Sequence, residues 1–316
     1  MEEKEYVPGL SYRADKSAHY DKPGVVIVGT GAVGTALAHA FYHIGYPVKA
    51  IVSRDKQRAQ LLAGKVGSPF AFSLSDRLPT DAKLIFLCIP DDAISPTAKL
   101  LTESLDWEDK IVAHTSGALA ASALQPLARK GAYLMSFHPV QTFSNTSEYP
   151  FAGIYIGIEG DPEAVAEGVK IAHAFQAKEV ILTADKKPRY HLAASIASNF
   201  FVTLMAMACD VLESIGMERN EAIAMLRPLV TQTCTNVTST LPELVLTGPA
   251  ARGDQKTLKV HLDAIENHLP HYEPLYKALL AETLAVAHKG GRLNHEQIER
   301  IHAHLAKERV RSDKNQ

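Results

Sequence analysis

The chain has 316 residues, of which 46% are hydrophobic and 22% charged, and its 33 basic and 35 acidic side chains give a formal net charge of −2. This length is typical of two domains of ~150 residues each, and the composition is that of an ordinary folded protein. Because there is no excess of positive charge to bind a phosphate backbone, the sequence does not predict a nucleic-acid-binding protein.

Three cysteines, Cys88, Cys209 and Cys234, are too few for a disulfide framework and match no zinc-binding spacing. They favour a reducing environment, so we expect a cytoplasmic protein. Residues 1–22 mix both charges and contain no apolar run like that of a signal peptide, so we interpret them as a tail. Residues 309–316 are predicted to form a second, charged tail.

From residue 24 onward, short β-branched runs alternate with segments of helical period, a pattern typical of βαβ units. The predicted strands are residues 24–28, 47–52, 83–89, 110–115, 132–137, 153–158 and 178–183, and the predicted helices among them are 31–44, 55–66, 91–104, 118–130 and 162–175. The sequence therefore predicts an α/β domain over residues 23–184, a Rossmann-like doubly wound parallel sheet.

The second part of the chain has a different character, with long helical patterns and no convincing strand. Its predicted helices are residues 189–215, 219–238, 254–268, 272–289 and 294–307. We therefore predict an all-α domain over residues 185–308. The most apolar stretch, residues 192–209, carries a polar stripe that argues against a transmembrane span, so no membrane association is expected.

A glycine-rich motif follows the first predicted strand and opens the first helix. It consists of Gly29, Thr30, Gly31, Ala32, Val33 and Gly34. In this context the first glycine makes a tight turn, the second lets a pyrophosphate approach the backbone, and the third lets helix and strand pack closely. The free N–H groups at the helix N-terminus attract the anion. The motif predicts a dinucleotide site.

The residues after the second strand decide which dinucleotide binds. An NAD site usually has an acidic residue here for the ribose hydroxyls, but this chain has Ser53 and Arg54. Arg54 can bind a 2′-phosphate through charge-assisted hydrogen bonds, which favours NADP over NAD. Asp55 leaves an alternative open, because it can either cap the next helix or, with a shift of one residue, bind the ribose.

The nicotinamide end of such a site lies beyond the carboxyl ends of the next two strands. The residues there are Cys88, Ile89, Pro90 and Asp91 after one strand, and His114 and Ser116 at the other. We interpret Asp91 as a helix N-cap and Cys88 as a small buried apolar residue.

Three further polar groups are candidates for the chemistry. The first comprises Ser136, His138 and Gln141, and the second is a stripe on one face of a helix formed by His191, Ser195, Ser198 and Asn199. Such a stripe on an otherwise apolar helix indicates a wet cleft, unless its groups only satisfy one another between packed helices. The third is Arg252, in a loop where it can clamp a carboxylate or lie solvated.

The chain contains fourteen histidines, among them the pairs His268/His271 and His302/His304. We expect these pairs at the surface and not at a metal.

The segments GTGAVGTALA, CIPDDAI, HTSGAL, SFHPVQTF and LTGPAARGD resemble a family of Rossmann-like NAD(P)-dependent oxidoreductases with a helical C-terminal domain of unknown function. The resemblance covers residues from about 23 to 290. More distantly, the layout is similar to ketopantoate reductase, pyrroline-5-carboxylate reductase and the β-hydroxyacid dehydrogenases, whose helical domains often form homodimers. A homodimer through the helical domain is therefore expected.

One departure from these distant relatives concerns the proton donor. Ketopantoate reductases and β-hydroxyacid dehydrogenases carry Lys-x-x-x-Asn on the first long interdomain helix, whereas here Asn199 matches the asparagine and Ser195 stands at the lysine. A histidine is then the candidate donor, with His138 first and His191 and His114 as substitutes.

The resemblance implies an NADP-dependent reductase of a small carbonyl substrate, in particular a 2-keto acid. Ser116 and Asn199 would hold the substrate oxygen, Arg252 its acid group, and Gln141 and Ser195 would line the substrate site. A cyclic imine reductase and a non-catalytic NADP-binding sensor remain alternatives.

Overall fold

A computed structural model describes residues 22–143 and 150–307 of the chain, with side chains described as far as residue 303. Both predicted tails therefore lie largely outside the described residues. Contacts divide the chain into two compact units, Met1–Asn199 and Phe200–Gln316. The division falls after the boundary predicted at residue 184, because the helix that begins at Lys187 packs its first turns on the sheet of the first unit.

The first unit is built on one mixed sheet with the order β3-β2-β1-β4-β5-β6-β7-β8 among the described residues. The strands are β1 (Gly24–Val28), β2 (Val48–Val52), β3 (Phe70–Phe72), β4 (Ala82–Leu87), β5 (Ile111–His114), β6 (Tyr133–Pro139), β7 (Tyr155–Gly160) and β8 (Lys178–Ile181). The order reverses between β1 and β4, which is the topological switch point of a doubly wound sheet.

The sheet differs from the prediction in two places. Strands β1 to β6 are parallel, as expected, but β7 runs antiparallel to β6, and β8 pairs with β7 in parallel. Consecutive neighbouring strands need no crossover helix when they are antiparallel, and apolar runs alone do not reveal strand direction. The three-residue edge strand β3 was not predicted, because it is too short to show a period.

The helices of the first unit lie mostly where they were expected. They are α1 (Ala32–His43), α2 (Lys56–Lys65), α3 (Asp91–Leu100), α4 (Gln125–Ala128), α5 (Pro162–Ala174) and α6 (Lys187–Ser195). The helix predicted over residues 118–130 is instead a 3₁₀ turn, Ala121–Leu124, followed by the single turn α4. Pro126 at the start of α4 explains the break, because it has no N–H to continue a helix.

The first unit buries apolar side chains on both faces of the sheet. All five residues of β1 are buried, and β4 is buried from Leu84 to Leu87. On one face, Phe41 of α1 contacts Phe86 of β4 and Phe175, with ring centroids 5.1 Å apart in each pair. Such two-sided burial is why these strands read as continuous apolar runs.

The second unit is helical throughout its described residues. Its helices are α7 (Phe201–Glu213), α8 (Arg219–Ser239), α9 (Pro242–Val245), α10 (Pro249–Arg252), α11 (Gln255–His268), α12 (Glu273–Lys289) and α13 (His295–Lys307). The core contains Leu258, Leu284 and Ile301. The α/β plus all-α fold class is confirmed.

The long helix predicted over residues 189–215 consists of α6, a π-helical segment Ile196–Phe200, and α7. The division between the two units falls inside the π segment. Among the described residues one helix, Ala184–Glu213, is long and apolar enough to cross a membrane, with a mean hydropathy of 1.7 and only 6% of that window buried. Length and composition are the only support for a span.

Candidate dinucleotide and active site

The turn between β1 and α1 has the geometry of a phosphate cradle. Gly29 has φ of +111°, and a Cβ there would lie 2.2 Å from the carbonyl oxygen of Cys88. A Cβ on Gly34 would lie 2.1 Å from the carbonyl oxygen of Gly29, whereas a Cβ on Gly31 would meet no atom within 4 Å. Only glycine fits at positions 29 and 34, and the open space at Gly31 leaves the backbone accessible to a ligand.

Helix α1 points its N-terminus into this turn. Its N-cap residue is Gly31, and no side chain caps the first turn, which contains Ala32, Val33 and Gly34. Uncapped N–H groups together with the positive end of the helix dipole form an anion site. The residues predicted to contact a pyrophosphate therefore lie where an anion would be bound.

A cavity of about 760 Å³ opens beside the cradle. Its lining includes Gly29, Thr30, Gly31, Ser53, Arg54, Asp55, Arg58, Cys88, Ile89 and Pro90. This volume lies in the range of roughly 300–1,000 Å³ that small-molecule and cofactor sites occupy. The cavity unites most of the residues predicted from three separate segments.

The end of β2 presents basic and hydroxyl groups to this cavity. Ser53 Oγ lies 3.1 Å from Thr30 Oγ1, and Arg54 is exposed. Asp55 accepts a hydrogen bond of 3.1 Å from the backbone N–H of Arg58 and caps α2, so the capping interpretation of Asp55 is confirmed. One oxygen of its carboxylate, Oδ1, thereby caps the helix.

Sequence reasoning missed Arg58, an exposed cavity residue one turn into α2. Its place in the first turn of α2, directly after the Asp55 cap, was the available signal, because the first turn of this helix opens beside the end of β2. The two guanidinium groups give this end of the cavity a positive charge that suits a phosphate.

The turn after β4 contributes Cys88, Ile89 and Pro90 to the cavity. Burial raises the pKa of the Cys88 thiol to about 12, which makes it a poor nucleophile, in line with its predicted packing role. The prediction that Asp91 is an N-cap is wrong, because Pro90 is the N-cap of α3 and Asp91 Oδ2 accepts a hydrogen bond of 2.8 Å from Ser116 Oγ.

Two histidines meet near the end of β6 and pack against Gly117, which lies in the turn after β5. The rings of His138 and His191 lie 5.8 Å apart between centroids. A Cβ on Gly117 would lie 2.4 Å from His191 Cδ2 and 2.8 Å from His138 Nε2. The missing side chain at Gly117 therefore leaves room for both imidazoles.

Tyr190 completes this cluster. Its hydroxyl lies 3.1 Å from His138 Nδ1. Burial raises the pKa of Tyr190 to about 12, so the hydroxyl keeps its proton. When that hydroxyl donates to Nδ1, His138 carries its own proton on Nε2, the nitrogen beside Gly117.

Burial, followed by the positive charge of Lys187, lowers the pKa of His138 to about 4. The expectation of an imidazolium proton donor at neutral pH is therefore wrong, because His138 is neutral there. A neutral imidazole can still donate a hydrogen bond from Nε2 to a developing negative charge, provided that nitrogen carries the proton.

His114 serves the turn rather than the cavity. It is fully buried, its Nε2 lies 3.0 Å from the carbonyl oxygen of Ala120, and its Nδ1 accepts from the Ser116 N–H at 3.2 Å. Burial lowers its pKa to about 4. Both nitrogens are engaged, which removes His114 from the candidate proton donors.

Other predicted residues lie apart from this cluster or belong to the second unit. Gln141 is exposed, and its Oε1 accepts from the N–H of Thr142 at 2.8 Å. Ser195 ends α6, and Asn199 lies in the π segment. Arg252 is exposed at the end of α10. The roles of these four side chains stay predictions.

Sequence reasoning also missed Lys187. It lies directly after the domain boundary predicted at residue 184, yet it is fully buried, and its Nζ donates to Ser136 Oγ at 2.5 Å and to the carbonyl oxygen of Ser116 at 3.2 Å. The sequence does not show which of the adjacent residues Lys186 and Lys187 is buried. The part of the chain that the structure describes contains no cluster of three or more potential metal ligands.

The fold and the cradle define a Rossmann-like protein with a helical second unit. The Rossmann-like domain family matches residues 14–139, and a domain of unknown function, DUF2520, matches residues 154–283. The two matches follow each other along the chain in the combination that its motifs indicated. No curated protein matches the chain.

Solved structures resemble most of the chain. A candidate NADP oxidoreductase from Bacteroides fragilis is 26% identical with a TM-score of 0.72, and the match covers 84% of this chain and 98% of that one. A protein from Thermotoga maritima gives the same identity and coverage with a TM-score of 0.68. A reductive aminase from Aspergillus terreus in complex with NADPH and ethyl-5-oxohexanoate shares the fold at 17% identity, with a TM-score of 0.57 over 92% of this chain and 94% of that one.

Proposed function

We propose that the protein is an NADP-dependent oxidoreductase that reduces a small carbonyl compound, in particular a 2-keto acid. The observation that carries the proposal is the cradle at Gly29–Gly34, whose cavity reaches the Cys88–Pro90 turn. Asp91, the next residue in the chain, accepts a hydrogen bond from Ser116, which precedes the Gly117 against which the two histidines pack. The similarity to a candidate NADP oxidoreductase over nearly the whole of that chain supports it.

The residues fit the cofactor at each of its parts. The uncapped α1 N-terminus would hold the pyrophosphate. Ser53, Arg54 and Arg58 would bind the 2′-phosphate, while the Asp55 carboxylate caps α2 through Oδ1 and lies 3.7 Å from Arg58 Nε through Oδ2. Bound at this site, NADPH would supply the hydride.

The cluster beside Gly117 would act on the substrate oxygen. Negative charge develops on that oxygen during reduction, and a donor placed there in advance stabilises it. His138 Nε2, in the tautomer in which Tyr190 donates to Nδ1, is our first candidate for this donor, and His191 is the second. Asn199 is proposed to orient the substrate and Arg252 to hold its carboxylate.

Reduction of a C=N bond is a second candidate, favoured by the neutral state of His138. A protonated imine brings its own proton, so its reduction leaves no alkoxide and does not require an imidazolium. The fold shared with a reductive aminase agrees with this alternative.

The test is the oxidation of NADPH by the full-length protein with a panel of 2-keto acids and cyclic imines. We expect turnover with members of one class only. His138→Phe should lower kcat at least tenfold, because a donor at the developing charge is removed. His173→Phe, at an exposed histidine paired with Glu179, is the matched control and should leave kcat unchanged. Binding of NADPH without any turnover would support a nucleotide sensor instead.

We also propose that the protein forms a homodimer through α7 and α8. These two helices contact each other and expose large apolar side chains, among them Val202 (65%), Met225 (58%) and Leu229 (65%). Exposed apolar patches of this kind mark interaction surfaces. Light scattering should give twice the chain mass, and Leu229→Lys should lower it whereas Thr231→Lys, at an exposed position on the opposite face of the same helix, should not.

A further inference from the structure

The burial of Lys187 is specific to this side chain. Lys187 is 0% exposed, although its neighbours Lys186, Pro188 and Arg189 are all exposed. A buried ammonium group is costly unless hydrogen bonds and opposite charges compensate it. Such a residue therefore has a structural or functional role that an exposed lysine lacks.

The ammonium group ties two strands of the site together. Nζ donates to Ser136 Oγ on β6 at 2.5 Å and to the Ser116 carbonyl after β5 at 3.2 Å. The same Ser136 hydroxyl lies 3.2 Å from that carbonyl. Ser116 is thus held from one side by Lys187 and from the other by Asp91, which accepts its hydroxyl at 2.8 Å.

Gly117 follows Ser116 directly, so a fixed Ser116 also fixes the backbone against which the two imidazoles pack. A Cβ on Gly117 would be 2.8 Å from His138 Nε2, which shows how closely the two approach. A small movement of this backbone would shift the nitrogen that is to meet the substrate oxygen.

Four titratable groups on neighbouring elements interact with Lys187. The carboxylates are Asp91 on α3 and Glu159 on β7, and the imidazoles are His114 on β5 and His138 on β6. His191 lies one turn further along α6, the helix of Lys187 itself, and acts on His138. Burial lowers the pKa of Lys187 to about 8, against the opposing effect of both carboxylates. The lysine is therefore mostly charged at pH 7, where its charge lowers the pKa of both His138 and His114.

We propose that Lys187 is a positioning residue of the oxidoreductase site, which holds the Ser116–Gly117 backbone and acts through its charge on His138, an inference that rests on the proposed function. Lys187 is fully buried. Its positive charge lies beside the Ser116 carbonyl and the Ser136 hydroxyl, whereas Ser195 stands at the position where the distant relatives carry a lysine.

The experiment compares Lys187→Met, Lys187→Arg and the control Lys186→Met in the full-length protein. The first readout is the NMR titration of His138, which needs no substrate. Lys187→Met should raise the pKa of His138, because the neighbouring positive charge is lost, while Lys186→Met should leave it at the wild-type value. Identical titration in Lys187→Met and wild type would overturn the proposal.

The second readout is turnover of whichever substrate the panel identifies. Lys187→Met should lower kcat at least tenfold, since misplacement by about 1 Å can cost about 100-fold, with NADPH affinity changed less than twofold. Lys187→Arg should recover part of kcat. A loss of NADPH binding equal to the loss of kcat would indicate general damage and overturn the positioning role.

A third measurement covers the case in which Lys187→Met does not fold. In the wild-type protein, labelled Lys187 should titrate near pH 8, and the His138 signals should show an inflection at the same pH. Independent titrations would refute the coupling. If the coupling is found but no substrate is ever reduced, the proposed oxidoreductase function fails while the interaction between Lys187 and His138 stands.

Discussion

Substitutions at Gly31 and Gly34 should separate cofactor binding from folding. At Gly34 a single methyl group would lie 2.1 Å from the Gly29 carbonyl oxygen and 3.1 Å from Cys88 Cβ, so the backbone must move. Overpacking of this kind costs about 1–3 kcal/mol, partly offset by up to ~1 kcal/mol from the higher helix propensity of alanine. At Gly31 nothing lies within 4 Å, so a side chain there disturbs only the ligand.

These changes in the free energy of unfolding are large enough to be measured by thermal unfolding. A net loss of about 1 kcal/mol in Gly34→Ala should lower Tm by roughly 2–4 °C. Saturation of the wild type with NADPH at about 100 times Kd should add about 2.7 kcal/mol of stability. Gly31→Val should unfold at nearly the wild-type temperature without NADPH and lose most of the increase with it, because its side chain occupies the space intended for the pyrophosphate.

The assay is differential scanning fluorimetry with and without NADPH, supported by calorimetric titration. Circular dichroism serves as the control for native structure in Gly31→Val. If that variant is native and binds NADPH with wild-type affinity, the phosphate site does not lie in this turn. If Gly34→Ala is as stable as the wild type, the packing argument at Gly29 is wrong.

Three further predictions follow from the same structure. NADPH should bind at least tenfold more tightly than NADH, about 1.4 kcal/mol, and Arg54→Ala should abolish the difference in a fluorescence titration; equal affinities in wild type would contradict this. The free energy of unfolding, measured by chemical denaturation, should decrease as the pH falls from about 6.5 to 4. In this range the unfolded chain binds protons at His114 and His138, whereas in the folded protein the pKa of each is about 4. A free energy of unfolding that stays constant over this range would refute the prediction. A thiol reagent should modify exposed Cys234 quickly and buried Cys88 only on unfolding; equal rates would show that Cys88 is accessible.

The parts of the fold that depend on local periodicity could be predicted from the sequence. Strands β1, β4 and β5 are buried on both faces, so their sequences are continuous apolar runs. The glycine motif predicted the turn between β1 and α1. The direction of β7 was not predictable, because an antiparallel and a parallel strand with two buried faces have the same pattern. The single turn α4 replaced a longer predicted helix because Pro126 overrides the helical period around it.

Only part of the candidate site could be predicted from the sequence, because the protonation states of its side chains depend on burial. His138 was found from the end of its strand, but its neutral state results from desolvation and from the charge of Lys187, 49 positions away in the chain (187 − 138 = 49). Lys187 itself lies in a charged segment at the predicted domain boundary. Only the three-dimensional arrangement shows that its side chain alone turns inward.

The capping role of Asp55 has a consequence for the evolution and redesign of cofactor choice. One carboxylate oxygen of Asp55 caps α2 and the other lies 3.7 Å from Arg58 Nε, so recruiting this acid for the ribose of NAD would also weaken its pairing with Arg58. A change of preference would have to remove the positive charge of Arg54 and Arg58. Ser53 is less free to change, because its Oγ lies 3.1 Å from Thr30 Oγ1 in the glycine turn. The two arginines are therefore the positions at which nucleotide preference can change with the least effect on that turn.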